Sequence, residues 1–196
     1  GDYVGQRPAT VIRLMDNSSL AINSPAKLLV SLNGRYLNDP QPNMENYEFS
    51  SQQVGNERAR ASFTALLEPG TNSLRVVAED GTGNRDTTYL VVMVASTPVI
   101  KKLASSPNPF REQAIITFIL GDKQQPTGGE AVVYNATGRL VKKVELTPHI
   151  GMNSFMWDAS DDEGRSVAGG MYLIRIFIRG EDGVIESATQ KTVLIR

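Results

Sequence analysis

The sequence predicts an all-β protein of two tandem domains, each a β-sandwich or barrel. Three observations lead there. Apolar residues recur at every second position and almost nowhere at the helical period of 3.6. Turn signals rich in Gly, Asn and Asp punctuate the apolar stretches at short intervals. An eleven-residue pattern occurs twice, 81 positions apart, once in each half of the chain.

The elements follow in order. In AKLLVSLNG, Leu28, Val30 and Leu32 share one face and the stretch ends in an Asn-Gly turn. Residues 38–57 are polar and read as a long connection with a short edge strand at Tyr47–Phe49. In RARASFTALL, Ala59, Ala61, Phe63 and Ala65 face one way while Arg58, Arg60, Ser62 and Thr64 face the other. Leu74, Val76 and Ala78 align in the strand that follows. The run YLVVMVA ends the first half; three prolines, Pro98, Pro107 and Pro109, then disfavour a central strand. The boundary is placed at 96–100, giving domains 1–96 and 97–196 with a linker near 97–106. Late in the chain, Tyr172, Ile174, Ile176 and Ile178 form an unbroken apolar face opposite Arg175 and Arg179. Such half-apolar strands suit antiparallel sheets with one solvated face.

The repeat aligns GTNSLRVVAED, Gly70 to Asp80, with GMNSFMWDASD, Gly151 to Asp161. Gly, Asn, Ser, Ala and Asp recur at the same offsets. Asp80 and Asp161 both stand where a strand ends and the chain reverses, a place where Asp accepts backbone N–H bonds two residues on. This bears on the acidic cluster Asp158, Asp161, Asp162 and Glu163. Trp157 shares strand parity with Phe155 and is expected in the core, with Asp158 pointing outward. The cluster then reads as a solvated turn. A calcium loop stays open at Asp80/Asp86 or Asp158/Asp161, although neither matches the EF-hand spacing.

Composition removes several chemistries. The 196 residues hold no cysteine, which excludes disulfides, thiolate nucleophiles and cysteine-bound zinc. The one histidine, His149, lies in LTPHIG and reads as a loop residue; no G-x-S-x-G accompanies it. Basic and acidic residues number 8 and 10 up to Ser96, then 12 and 11. Neither half carries a field suited to nucleic acid. VIKK and LVKKVEL read as lysine-protected sheet edges. No apolar run approaches the ~20 residues that span a bilayer. No catalytic residue, metal site or cofactor is expected. The opening GDYVGQRP lacks the features of a signal peptide and an initiator methionine, so the chain is expected to begin inside a longer protein or after a cleavage.

The second half resembles the C-terminal sorting domain of type IX secretion cargo, a group that overlaps in pattern with the immunoglobulin-like domain of the flagellar hook-cap protein. The residues that carry the resemblance are Pro107, Asn108, Pro109 and Phe110; Tyr134, Gly138 and Arg139; Gly151, Asn153, Trp157 and Asp158; Gly164, Gly170 and Tyr172; and the final run Lys191, Thr192, Val193, Leu194, Ile195 and Arg196. Gly138 suits a positive φ in a hairpin, and Gly170 suits close approach of a neighbouring backbone. The first half is similar, more loosely, to the immunoglobulin-like spacer beside that domain in gingipain-family surface proteins.

The resemblance implies two immunoglobulin-like β-sandwich domains in tandem, forming a non-catalytic module of a secreted bacterial surface protein that acts as a type IX sorting and anchoring signal. Its implied partners are the outer-membrane secretion and attachment machinery and upstream domains of the same polypeptide. The terminal strand would pair with a receptor's sheet edge. The implied location is secreted or on the outer-membrane surface. Two alternatives stand beside this reading: an assembly module of a hook-cap-like or filament protein, and a carbohydrate-binding module.

Overall fold

The computed structural model describes residues 2–16, 22–40, 42–180, 183–187 and 189–196. Glu181 and Asp182 of the expected GEDG turn lie outside these. The chain divides into two units, one built from Gln6–Val94 and the other from Ala95–Arg196 together with Tyr3–Gly5.

The first unit holds Asp2 of the two-residue β1 (Asp2–Tyr3), then β2 (Ala9–Met15), β3 (Leu28–Leu32), β4 (Arg35–Tyr36), β5 (Met44–Val54), β6 (Glu57–Ala65), β7 (Gly70–Glu79) and β8 (Arg85–Val94). They form one sheet in the order β1-β8-β7-β3-β4 and another in the order β2-β6-β5. The alternating residues face as their parity requires. Leu28, Val30 and Leu32 are buried on one sheet, and Ala59, Ala61, Phe63 and Ala65 on the other.

The second unit holds β9 (Val99–Ser106), β10 (Ala114–Gly121), β11 (Gly128–Asn135), β12 (Leu140–Leu146), β13 (Gly151–Trp157), β14 (Gly170–Gly180), β15 (Gly183–Glu186) and β16 (Gln190–Leu194). One sheet runs β13-β10-β9; the other runs β12-β11-β14, where β14 pairs β16 near its start and β15 near its end. Antiparallel pairing throughout each sheet, with the chain crossing between the sheets at β10–β11, β12–β13 and β13–β14, makes this an immunoglobulin-like sandwich. Its core joins Phe110, Ile116, Phe118 and Leu120 to Ala131, Val133, Trp157, Tyr172, Ile174, Ile176, Ile178 and Leu194. The lysines of VIKK and LVKKVEL lie on β9 and β12, both edge strands.

Two segments depart from the expectation. Residues 38–57 are not mainly a connection, because β5 runs eleven residues, Met44–Val54. The expected linker at 97–106 is largely β9, and only Ala95–Pro98 is left outside strands. Both strands hide their period behind a register shift. In β5 the shift falls between Glu45 and Glu48, with Asn46 at φ +53°. In β9 it falls opposite Thr117–Ile119, with Lys102 at φ +51°. A bulge adds one residue to the inward spacing, so simple alternation fails.

Candidate functional site

The acidic cluster is a turn. Asp161 Oδ1 accepts from the backbone N–H of Glu163 at 3.1 Å and of Arg165 at 2.8 Å. The Asp161 N–H donates to Arg165 O, and the Gly164 N–H donates to Asp161 O. The Arg165 guanidinium bonds Asp161 Oδ2 at 3.0 Å and Glu163 Oε2 at 2.9 Å. Asp162 Oδ1 accepts from the Lys143 N–H. Asp158, exposed, accepts from the Ser160 hydroxyl at 2.6 Å. That hydroxyl holds the Asp158 carboxyl below its ordinary range. The Trp157 indole N–H donates to Ser160 O at 3.0 Å, and Lys142 Nζ bonds Ser160 Oγ and Asp161 O. All four acids therefore meet donors of the chain itself. Among the described residues no three or more His, Cys, Asp and Glu side chains gather closely enough to hold a metal.

Asp80 builds the same turn. Its Oδ1 accepts from Thr82 N, Thr82 Oγ1 and Asn84 N at 2.8–2.9 Å, and its Oδ2 accepts from the Asn84 amide at 2.7 Å. The Asn84 amide and the Thr82 hydroxyl hold the carboxyl far below its usual value. A third copy, which the repeat did not reveal, starts at Asn135. Its Oδ1 accepts from Thr137 N, Thr137 Oγ1 and Arg139 N. The fourth residue of each copy is a glycine at positive φ: Gly83 at +93°, Gly138 at +80° and Gly164 at +76°.

The repeat's asparagines also match bond for bond. Asn153 Nδ2 donates to His149 O and Gly151 O, and its Oδ1 accepts from the His149 N–H. Asn72 Nδ2 donates to Glu68 O and Gly70 O, and its Oδ1 accepts from the Glu68 N–H. Both are buried. His149 itself is exposed, in the loop its reading assigned to it.

Asn108, Phe110, Trp157 and Tyr172 of the motif converge on the terminal strand. On one side β16 pairs with β14, from Ile174↔Gln190 to Gly170↔Leu194. On its other side the backbone groups meet the Pro107–Phe110 segment. Asn108 Nδ2 donates to Lys191 O at 3.0 Å, and Asn108 Oδ1 accepts from Val193 N–H at 2.9 Å. The Phe110 N–H donates to Val193 O, and the Ile195 N–H donates to Phe110 O, both at 2.9 Å. One asparagine side chain thus imitates a strand, and the Phe110 backbone continues it. Underneath, the Phe110 ring centroid lies 5.5 Å from that of Trp157, which lies 4.9 Å from Tyr172 in an edge-on arrangement. The Tyr172 hydroxyl donates to Ala168 O, and burial pushes its pKa up. Thr192, fully buried, shares a 2.8 Å hydrogen bond with Ser105 of β9, a residue the motif did not contain.

Four consequences follow for the expected site residues. Thr192 and Leu194 are core residues, whereas Lys191, Ile195 and Arg196 are exposed, Arg196 Nε donating to Val167 O. Between Lys191 and Ile195 both edges of the terminal strand are occupied, so it has no free edge there for a receptor. At Gly170 nothing lies within 4 Å of where a Cβ would stand; the close approach belongs to Gly169, whose Cβ would stand 3.4 Å from Leu194 O. Arg139 sits in its hairpin turn, away from this cluster in sequence and joined to Asn135 by its backbone.

Comparison with known proteins adds the following. The family model described as FlgD Ig-like domain matches residues 113–178. No curated protein matches. Dimeric latent PorU from Porphyromonas gingivalis is similar at 20% identity and a TM-score of 0.48, over 100% of this chain and 19% of that one. PorZ, a surface component of the type IX secretion system of the same organism, is similar at 21% identity and a TM-score of 0.34, over 48% of this chain and 11% of its own. The fibronectin(III)-like modules of Clostridium thermocellum CbhA are similar at 14% identity and a TM-score of 0.31, over 98% of this chain and 87% of theirs. The chain spans about a fifth of PorU's length and about a tenth of PorZ's.

Proposed function

We propose that the second unit is a non-catalytic type IX secretion sorting and anchoring signal of a bacterial surface protein, and that the first is its immunoglobulin-like spacer. The observation that supports this is the convergence of motif residues from both ends of the unit on one strand. Asn108 and Phe110 bond Lys191, Val193 and Ile195, which lie more than 80 positions away. A rigid clasp of this kind fixes the position of Lys191, Ile195 and Arg196, the exposed part of the strand. Recognition by the outer-membrane machinery then rests on a preformed surface rather than on a strand free to insert. A cleavage that attaches the cargo to the surface would fall within Ala95–Pro98, between β8 and β9.

The test is export. The full chain, fused behind a periplasmic reporter in a bacterium with a type IX system, should carry the reporter to the surface. Deleting Lys191–Arg196 should strand it in the periplasm. Normal export of that deletion would refute the proposal.

A second reading is an assembly module of the hook-cap kind, favoured by the match of the FlgD Ig-like domain model to residues 113–178. Ordered polymers of the purified chain in electron micrographs would support it, and discrete small species would count against it.

A further inference from the structure

Among the described residues, strand β13 pairs with β10 on one side only and is an edge of its sheet. Edge strands in soluble proteins are ordinarily blunted by charge, proline, a bulge or extreme shortness. Gly151–Trp157 has none of these. Its seven residues, GMNSFMW, carry no charge and no proline. Its pairing with β10 runs unbroken from Ala114↔Trp157 to Leu120↔Gly151. Among the described residues the sandwich's other edges carry such devices: β9 has Lys101, Lys102 and a register shift, β12 has Lys142, Lys143 and the Asp162 contact, and β15 is only four residues long.

The outward side chains of this edge are also unusual. Met152 is 68% exposed and Met156 56%, and Ile115, opposite Met156 on β10, is 48% exposed. Between the two methionines stands Ser154, opposite Thr117.

We propose that β13 is a homodimer interface, at which the edge pairs antiparallel with β13 of a second copy about a two-fold axis through Ser154. The symmetric placing of the two outward methionines about Ser154 selects that occupant and that register. Met152 falls opposite the partner's Met156, and Met156 opposite the partner's Met152. Each outer row then reads Ile115–Met156 in one copy and Met152–Ile119 in the next, an apolar ribbon crossing the junction twice. Charge agrees: no like charges meet, because Asp158, the acid that follows the strand, falls opposite the partner's Ile150. A slip of one residue would turn methionines toward the opposite face. The joined sheet has six strands, and its two new ends are the lysine-bearing β9 edges, so association closes at two. This inference does not rest on the sorting proposal.

The interface is small, seven residues on each side against the 20 to 30 of a standard one, so the dimer should be weak and concentration-dependent. The experiment is sedimentation velocity on the full chain over a rising concentration series, joined to two variants. Wild type should shift from monomer to dimer, without higher species. S154K should remain monomeric with unchanged Trp157 emission. S154C, in a chain otherwise free of cysteine, should oxidise to a covalent dimer far faster than a control cysteine at exposed Thr147. Should S154K fail to fold, M152S/M156S serves instead and should weaken the dimer at least tenfold. A wild-type chain that stays monomeric up to about 1 mM, a dimer that survives S154K, or an S154C that crosslinks no faster than the control overturns the proposal. So does growth into open polymers.

Discussion

At the scale of single residues, the structure assigns much of the polar chemistry to holding turns. Asn153 uses three hydrogen bonds to fix the loop before β13. Removing a buried partner leaves backbone groups without bonds, which costs more than the bond gained on folding. Asn153→Ala should therefore lower unfolding free energy by about 1–3 kcal/mol in urea titrations followed by Trp157 emission. Asn153→Asp should be worse, since a carboxylate has no N–H to give His149 O and Gly151 O. Asp80 yields a pH prediction. Its folded carboxyl titrates below its unfolded value, so its contribution is full above about pH 4 and is lost as pH falls through the folded value. Asp80→Asn should keep the turn, because Asn135 builds the same one with an amide. It should flatten the fall in melting temperature between pH 4 and 2. An unchanged slope would show that Asp80 plays no part in acid sensitivity.

At the scale of elements, the terminal strand is held on two sides. Its inward residues, Thr192 and Leu194, are part of the core. Deleting Lys191–Arg196 therefore opens the second unit, and the emission of Trp157 should shift to the red. Phe110→Ala removes the ring that packs on Trp157 and should cost about 3–5 kcal/mol in the same titrations. Asn108→Ala keeps the core but frees Lys191 O and Val193 N–H. It should raise amide exchange at Val193 and leave the Ile174 amide, central in β14, little changed.

The elements also show why some of the fold was legible in the sequence and some was not. β3, β6 and β14 alternate without interruption, so parity assigns their faces. β5 and β9 each contain a bulge at a non-glycine residue of positive φ. Their inward residues run Met44, Tyr47, Phe49 and Ile100, Leu103, Ser105, a spacing of three and then two. That rhythm matches neither a strand nor a helix. The glycine at Gly138 was legible as a turn, since Asn-x-Thr-Gly encodes one. The clasp was not, because the contact between Asn108 and Lys191 is a matter of topology and leaves no local pattern.

At the scale of the whole molecule, two sandwiches of like construction are made by one chain that contributes Tyr3–Gly5 to the second unit. There the Tyr3 ring packs against Gly121, and Lys101 Nζ donates to its hydroxyl at 2.8 Å. Under the proposed sorting role, the second unit has a part that folds and a part that is read. Buried motif residues hold the strand; exposed Lys191, Ile195 and Arg196 present it. Export of a reporter fused to the chain carrying K191E/I195D/R196E separates these roles. The sorting role predicts a variant with the wild-type melting temperature and a reporter retained in the periplasm. A stable variant exported as well as wild type would contradict it.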